Sequence, residues 1–142
     1  MYNASIVACR ATGAKGAQVV DTNVGDMHRI GGGSVENLRL KARETTLNPP
    51  GISLLRAPSP EEAARQMREA FPAAEGLHEA AQVIGSTTVE KIRQAGFDVL
   101  PNPTKKLPNH YRLIHPEGVA GFHDVNLARL SAVFTETSGH AV

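Results

Sequence analysis

The chain has 142 residues, of which 41% are hydrophobic and 20% charged, which is typical of one folded domain. Fifteen Lys and Arg against 14 Asp and Glu give a net charge of +1, so we expect no DNA partner bound through its phosphates. Cys9 has no second cysteine to pair with, and no His or Cys spacing indicates a metal site.

Targeting signals are also lacking in the sequence pattern. No apolar run is long enough to span a bilayer, and residues 1–20 lack a basic start followed by an apolar core. We therefore expect no membrane association and a cytoplasmic site of action. Delivery by a specialised secretion system stays open.

The first part of the chain is poor in regular patterns. Residues 1–26 are rich in Ala, Gly and small polar side chains and are expected to be irregular, so the folded domain is predicted to span residues 27–142. Met27–Ile30 resembles a strand end, and the three glycines 31–33 predict a turn. After a Pro-Pro-Gly breaker, Gly51–Leu55 predicts a short buried strand.

Helical signals follow. Ser59 is a predicted N-cap, with Pro60 at the first helical position and Glu62 placed for a capping box, and Pro72 marks the end of this helix. Its apolar face repeats at spacings of three and four through Ala63, Met67 and Ala70. Two more helices are predicted, one over residues 77–84 and one that begins at Thr87 and ends at Gly96.

Alternating patterns then predict strands. Phe97 to Leu100 alternates in polarity, a basic loop covers residues 104–109, and residues 110–115 and 119–122 are predicted to pair as a hairpin. Asp124 is predicted to cap a final helix. The sequence therefore predicts an α+β fold, a single domain with a small mixed or antiparallel sheet and three to four helices.

The strand that begins at His110 carries the clearest candidate site. Because side chains alternate along a strand, His110 and Arg112 share one face. An imidazole can transfer a proton, and a guanidinium can grip a phosphate through paired hydrogen bonds. Lys105 and Lys106 add positive charge nearby. We predict that this face acts on a phosphorylated substrate; in the alternative, His110 only bonds a neighbouring carbonyl and Arg112 pairs with a helix.

Short motifs across most of the chain resemble bacterial toxins of the ADP-ribosyltransferase-like group, including a type VI secretion effector family. The motifs are Met27-His28-Arg29-Ile30, Pro50-Gly51-Ile52-Ser53, Gly85-Ser86-Thr87-Thr88-Val89, and Leu107-Pro108 with His110-Tyr111 and Pro116. The resemblance implies NAD as cofactor, bound by His28 or Arg29, with Ser53 and His110 as polar residues of the catalytic cleft. We expect Lys105 and Lys106 to contribute to cofactor binding and Arg112 to catalysis. No glutamate stands at or next to His110, so the carboxylate that polarises the ribose in that family would come from elsewhere.

A second resemblance, from Thr87 to the end, is to the small mRNA-cleaving toxins of the HicA type. It is carried by the helix before Gly96-Phe97, by His110-Tyr111-Arg112 and by His115-Pro116-Glu117-Gly118. It implies metal-independent RNA cleavage, with His110 as general acid or base and Lys105, Lys106 and Arg112 on the phosphate. Asn109 stands where that family has Gly-Ser, and residues 1–86 have no counterpart in it.

Three functions are therefore open: an NAD-using transferase toxin, placed first, an RNA-cleaving toxin, and a non-catalytic module whose basic loop binds an acidic partner. Either toxin implies a neutralising antitoxin or immunity protein. NAD use requires His28 or Arg29 and Ser53 to converge with His110 in one cleft. RNA cleavage requires an open basic face at His110, with His28 and Ser53 apart from it.

Overall fold

The computed structural model describes residues 26–73 and 82–138. Within them, six strands form one antiparallel sheet in the order β4-β5-β2-β1-β3-β6. The strands are β1 (Asp26–Ile30), β2 (Ile52–Ala57), β3 (Val83–Thr87), β4 (Asp98–Pro101), β5 (His110–Ile114) and β6 (Thr135–Ser138). The α-helices of the same residues are α1 (Val35–Leu38), α2 (Pro60–Ala70), α3 (Val89–Gln94) and α4 (Asp124–Ser131). The predicted α+β class with a small antiparallel sheet is confirmed.

The helices cover the two faces of the sheet unequally. Helices α1, α3 and α4 bury one face in the larger core, where Leu38, Ile92 and Leu127 pack with strand residues such as Ile52 and Leu113. Helix α2 lies on the opposite face, hereafter the α2 face, and contacts β1, β2 and β3. None of the described helices has the length and apolar character needed to cross a bilayer.

Helix α2 forms where its sequence signals place it. Ser59 is the N-cap, and its hydroxyl oxygen accepts a hydrogen bond from the Glu62 N–H at 3.1 Å. The Glu62 carboxylate accepts from the side chains of Arg65 and Gln66. The predicted apolar face is confirmed, because Ala63 is buried with Leu55 and Ala57 of the sheet while Met67 and Ala70 pack against this cluster.

The predicted hairpin between residues 110–115 and 119–122 is wrong. Strand β5 pairs with β2 along one edge and with β4 along the other, so neither edge is left for a third strand. Gly118–Gly121 forms a 3-10 helix instead. Gly121 packs so closely on the His115 ring that an added Cβ would lie 2.0 Å from its Nδ1 atom, which fixes this turn against the strand end.

Three boundaries also differ from prediction. Of the helix predicted over residues 77–84, residues 77–81 lie outside the described part of the chain, whereas Val83 and Ile84 begin β3. Thr88, not Thr87, caps α3 through the Lys91 N–H. His123, not Asp124, is the N-cap of α4. The irregular segment predicted for residues 1–26 also lies outside the described residues, except Asp26, with which β1 begins.

Candidate active site

The candidate site begins with His110, the first residue of β5, which lies half-buried on the α2 face. Its Nδ1 atom is 2.9 Å from the backbone carbonyl oxygen of Asn102. A carbonyl oxygen only accepts hydrogen bonds, so in this contact Nδ1 carries the proton. In the neutral ring, Nε2 then keeps a free lone pair and is the atom able to take a proton from a substrate.

The loop between β4 and β5 holds this histidine in place. Asn102 N–H donates to the His110 carbonyl at 2.9 Å, and His110 N–H donates to the Leu107 carbonyl at 3.2 Å. The Leu107 side chain is buried under α2 with Leu55, which anchors the loop to the sheet. The Thr104 hydroxyl oxygen closes the turn by accepting from Leu107 N–H at 2.9 Å. His110 is therefore supported by a tied loop and a strand paired on both edges.

Arg112 and Ser53 extend the site along the same face. The two residues lie directly opposite each other in the β2–β5 register, and Ser53 is exposed. The Arg112 guanidinium donates to the Pro49 carbonyl at 3.1 Å. Within the described residues, Arg112 forms no ion pair with a carboxylate. Its charge is thus left for an anionic ligand, and the helix ion pair considered from the sequence does not form there.

The two lysines of the basic loop differ in their contacts. Both Lys105 and Lys106 are exposed, and the Lys106 Nζ lies 5.2 Å from the ring centroid of Phe71, just after α2. Lys106 is thereby on the α2 side of the sheet, as His110 is. The structure brings Lys106, His110, Arg112 and Ser53 to one side of the molecule.

His28 is on the α2 face but does not open into this site. It is fully buried, with Nε2 2.9 Å from the Ala57 carbonyl oxygen and Nδ1 2.8 Å from the Ser86 hydroxyl oxygen. Leu55 stands between His28 and His110 in the register across β1, β2 and β5. Both ring nitrogens of His28 are used by the protein itself.

Arg29 lies on the opposite face of the sheet. Its guanidinium donates to the Asn37 carbonyl through Nε and Nη2 and to the Ser53 carbonyl through Nη1, at 2.8 to 3.0 Å. Burial lowers the pKa of Arg29, and the negative charge of Glu44 opposes that effect. The structure therefore places Arg29 in a backbone-binding role and separates it from His110.

A groove that the sequence did not reveal includes Asn109, the residue before His110, in its lining. It has a volume of about 470 Å³ and is formed by the C-terminal half of α2 and by residues 106–109. Its polar lining consists of Gln66, Glu69, Lys106 and Asn109. The groove could not be predicted from the sequence, because no local pattern indicates that residues 106–109 fold back toward α2. The same holds for the Asn102 carbonyl, which the Pro101-Asn102-Pro103 segment directs toward His110.

Comparisons with family models, with curated proteins and with solved structures found no match to this chain. The function of this chain is therefore inferred from its own residues and their contacts.

Proposed function

We propose that this chain is a toxin-like, metal-independent ribonuclease that uses His110 as its proton-transfer group. One observation carries the proposal: His110 Nδ1 donates to the Asn102 carbonyl, which leaves Nε2 of the neutral ring to accept a proton, on the same strand face as Arg112, whose guanidinium forms no ion pair within the described residues. A general base beside a fixed cation is the minimum that phosphodiester cleavage by the RNA 2′-hydroxyl needs.

The proposed reaction is an internal transfer of the phosphoryl group, with water as the proton source for the leaving oxygen. His110 Nε2 takes the proton of the 2′-hydroxyl, and the 2′-oxygen forms a bond to the adjacent phosphorus. The bond from phosphorus to the 5′-oxygen breaks, and this oxygen leaves with a proton from water. Arg112 neutralises the charge that builds on the phosphoryl oxygens, with Lys106 nearby. The products are a 2′,3′-cyclic phosphate and a free 5′-hydroxyl.

The NAD-using transferase is the second candidate. It is favoured by the placement of Ser53 directly across from Arg112 on the His110 side of the sheet. RNA cleavage ranks above it because Arg29 and His28, one of which NAD binding would need, are occupied by protein hydrogen bonds. Ser53 does not meet the separation from His110 that RNA cleavage was expected to show, so the ranking rests on His28 and Arg29. Both candidates would act in the cytoplasm, both leave delivery by a specialised secretion system open, and both imply a neutralising antitoxin or immunity protein.

One experiment separates the two candidates. The purified chain is incubated in parallel with a labelled single-stranded RNA in EDTA and with labelled NAD plus a bacterial lysate. We expect RNA products ending in a 2′,3′-cyclic phosphate, and His110→Ala is expected to slow cleavage about 100-fold or more. His123→Asn is the matched control, because His123 is exposed on α4 and Asn retains the helix cap.

The alternative outcomes are distinct. Label transfer from NAD without RNA cleavage would favour the transferase. Absence of both activities in the wild type would remove both enzymes and leave the binding module, whereas activity that His110→Ala retains in full would remove His110 from the catalytic role. Expression of the wild type and of His110→Ala in bacteria adds a cellular readout, since only the wild type is expected to arrest growth.

A further inference from the structure

The groove that Asn109 lines has the position of a binding subsite. It lies between α2 and residues 106–109, and Asn109 in its wall is the residue immediately before His110. Arg112 lies two residues after His110 on the same strand face, about 7 Å from it along β5. The groove, the imidazole and the guanidinium therefore follow one another along the end of the loop and the start of β5.

Its chemistry suits one planar, polar-edged ligand. Ala70 and Leu107 contribute apolar surface to the groove, whereas the amides of Gln66 and Asn109 offer both hydrogen-bond donors and acceptors. Lys106 supplies a positive charge, and the negative charge of Glu69 in the same lining is paired with Arg65. A lining that mixes apolar and polar groups can receive a nucleobase, which has flat apolar faces and polar edges.

The size of the groove agrees with that class of ligand. Its volume of about 470 Å³ falls within the roughly 300–1,000 Å³ of small-ligand pockets. Proteins that recognise single-stranded RNA commonly hold a splayed base in such a site. A base that is paired within a duplex is not free to enter such a site, so a site of this kind suits unpaired RNA.

We propose that this groove binds the base of the nucleotide next to the scissile phosphate, with Lys106 on its phosphate group and Asn109 and Gln66 at the base edge. The inference rests on the proposed ribonuclease function, and it adds a base-binding subsite outside the reacting atoms.

The test uses ligands that cannot be cleaved, so that binding is measured apart from catalysis. The four 5′-mononucleotides and ribose 5-phosphate are titrated into the full chain while backbone amide shifts are followed by NMR. We expect at least one mononucleotide to shift the amides of Ala70, Leu107 and Asn109. Ribose 5-phosphate is expected to bind at least 5-fold more weakly, because it has no base.

Substitutions then assign the contacts. Lys106→Ala is expected to weaken mononucleotide binding at least 5-fold, and Asn109→Ala to change the order of preference among the four bases. Lys91→Ala is the matched control, because Lys91 is exposed on α3, on the other face of the sheet. The affinity of this variant for mononucleotides should change less than 2-fold. The spectra themselves report whether each variant is folded.

Two results are decisive in opposite ways. Cleavage of RNA with no mononucleotide shifts in the groove, or with ribose 5-phosphate bound as tightly as the nucleotides, would overturn the subsite and leave the ribonuclease intact. Base-dependent binding that Lys106→Ala weakens, in a chain that does not cut RNA, would sustain the nucleotide site and reject the ribonuclease.

Discussion

His110 and Asn102 bind each other twice: the His110 ring donates from Nδ1 to the Asn102 carbonyl, and Asn102 N–H donates to the His110 carbonyl, each at 2.9 Å. His28 meets a carbonyl through its other nitrogen, since Nε2 contacts the Ala57 oxygen at 2.9 Å. The two rings are therefore held in opposite tautomers, because a carbonyl oxygen always faces the protonated nitrogen.

The first prediction concerns these tautomers. In two-bond 1H–15N correlation spectra of the neutral rings, His110 is expected to show a protonated Nδ1 and His28 a protonated Nε2. The assignment is made by comparison with His110→Gln and His28→Gln. A protonated Nε2 on His110 would contradict the base assigned to it, whatever the activity measurements show.

Arg112 is expected to matter for rate more than for stability. Within the described residues its guanidinium bonds the protein at the Pro49 carbonyl, so Arg112→Gln should leave the unfolding midpoint in urea nearly unchanged. RNA cleavage is expected to fall about 100-fold because a donor to the charged transition state is lost. Arg112→Lys should retain part of that activity, since it keeps the charge but not the paired donors. Equal loss in both variants would argue against a charge role.

Arg29 is expected to behave in the opposite way. Arg29→Met removes the donors to the carbonyls of Asn37 and Ser53 inside the protein, which should cost about 2–3 kcal/mol in the free energy of unfolding. Arg43→Met is the control, because Arg43 is exposed. This substitution should change the free energy of unfolding by no more than about 0.5 kcal/mol. Urea denaturation measures both. A stable Arg29→Met variant that loses NAD binding would instead favour the transferase.

The Glu62 ion pair predicts a pH dependence of stability. Hydrogen bonds from Arg65 and then Gln66 lower the pKa of Glu62 from 4.5 to about 2. A lowered carboxyl pKa stabilises the fold above the unfolded value near 4.5, and this stabilisation is lost as the pH falls toward 2. The difference in melting temperature between wild type and Glu62→Gln should therefore narrow between pH 4.5 and pH 2. A difference in melting temperature that does not change with pH would show that the charge of Glu62 contributes nothing to stability.

Gly85 is predicted to tolerate no side chain. A Cβ there would lie 2.5 Å from the Gly33 nitrogen and 2.9 Å from the Gly32 carbonyl carbon, so β3 and the glycine turn would have to separate. Gly85→Ala should cost about 1–3 kcal/mol from overpacking. Gly96→Ala is the comparison, since its Cβ meets open space and only its φ of +92° is strained. Thermal unfolding of both variants separates steric overlap from backbone strain.

Local signals in the sequence were sufficient for α2 and β5. The Ser59-Pro60 start and the alternation from His110 to Ile114 depend on neighbours in the chain, so both elements could be predicted, and with them the shared face of His110 and Arg112. The failed hairpin depended on distant partners, because only the complete sheet shows that β2 and β4 already occupy both edges of β5. Strand β6 was not predicted, since its Thr-Glu-Thr-Ser sequence lacks an apolar face.

The roles of His28 and Arg29 could not be read from the sequence for a related reason. A polar pair on a strand suggests a site only if the strand is open on one side, and β1 lies between β2 and β3 with helices over both faces. Nothing within residues 27–30 reports that position. The Asn102 carbonyl and the groove depend in the same way on how the 102–109 loop folds back on the sheet.

The buried polar contacts of β1 also specify the alignment of the sheet. Slipping β1 by one residue would turn His28 toward the larger core and Arg29 under α2, because alternate residues face opposite sides. The two hydrogen bonds of His28 and the three of Arg29 would then be lost together, with a charge left unpaired among apolar side chains. A strand with apolar residues at both positions would carry no such penalty. His28 and Arg29 thus make misaligned pairings of the central strand costly.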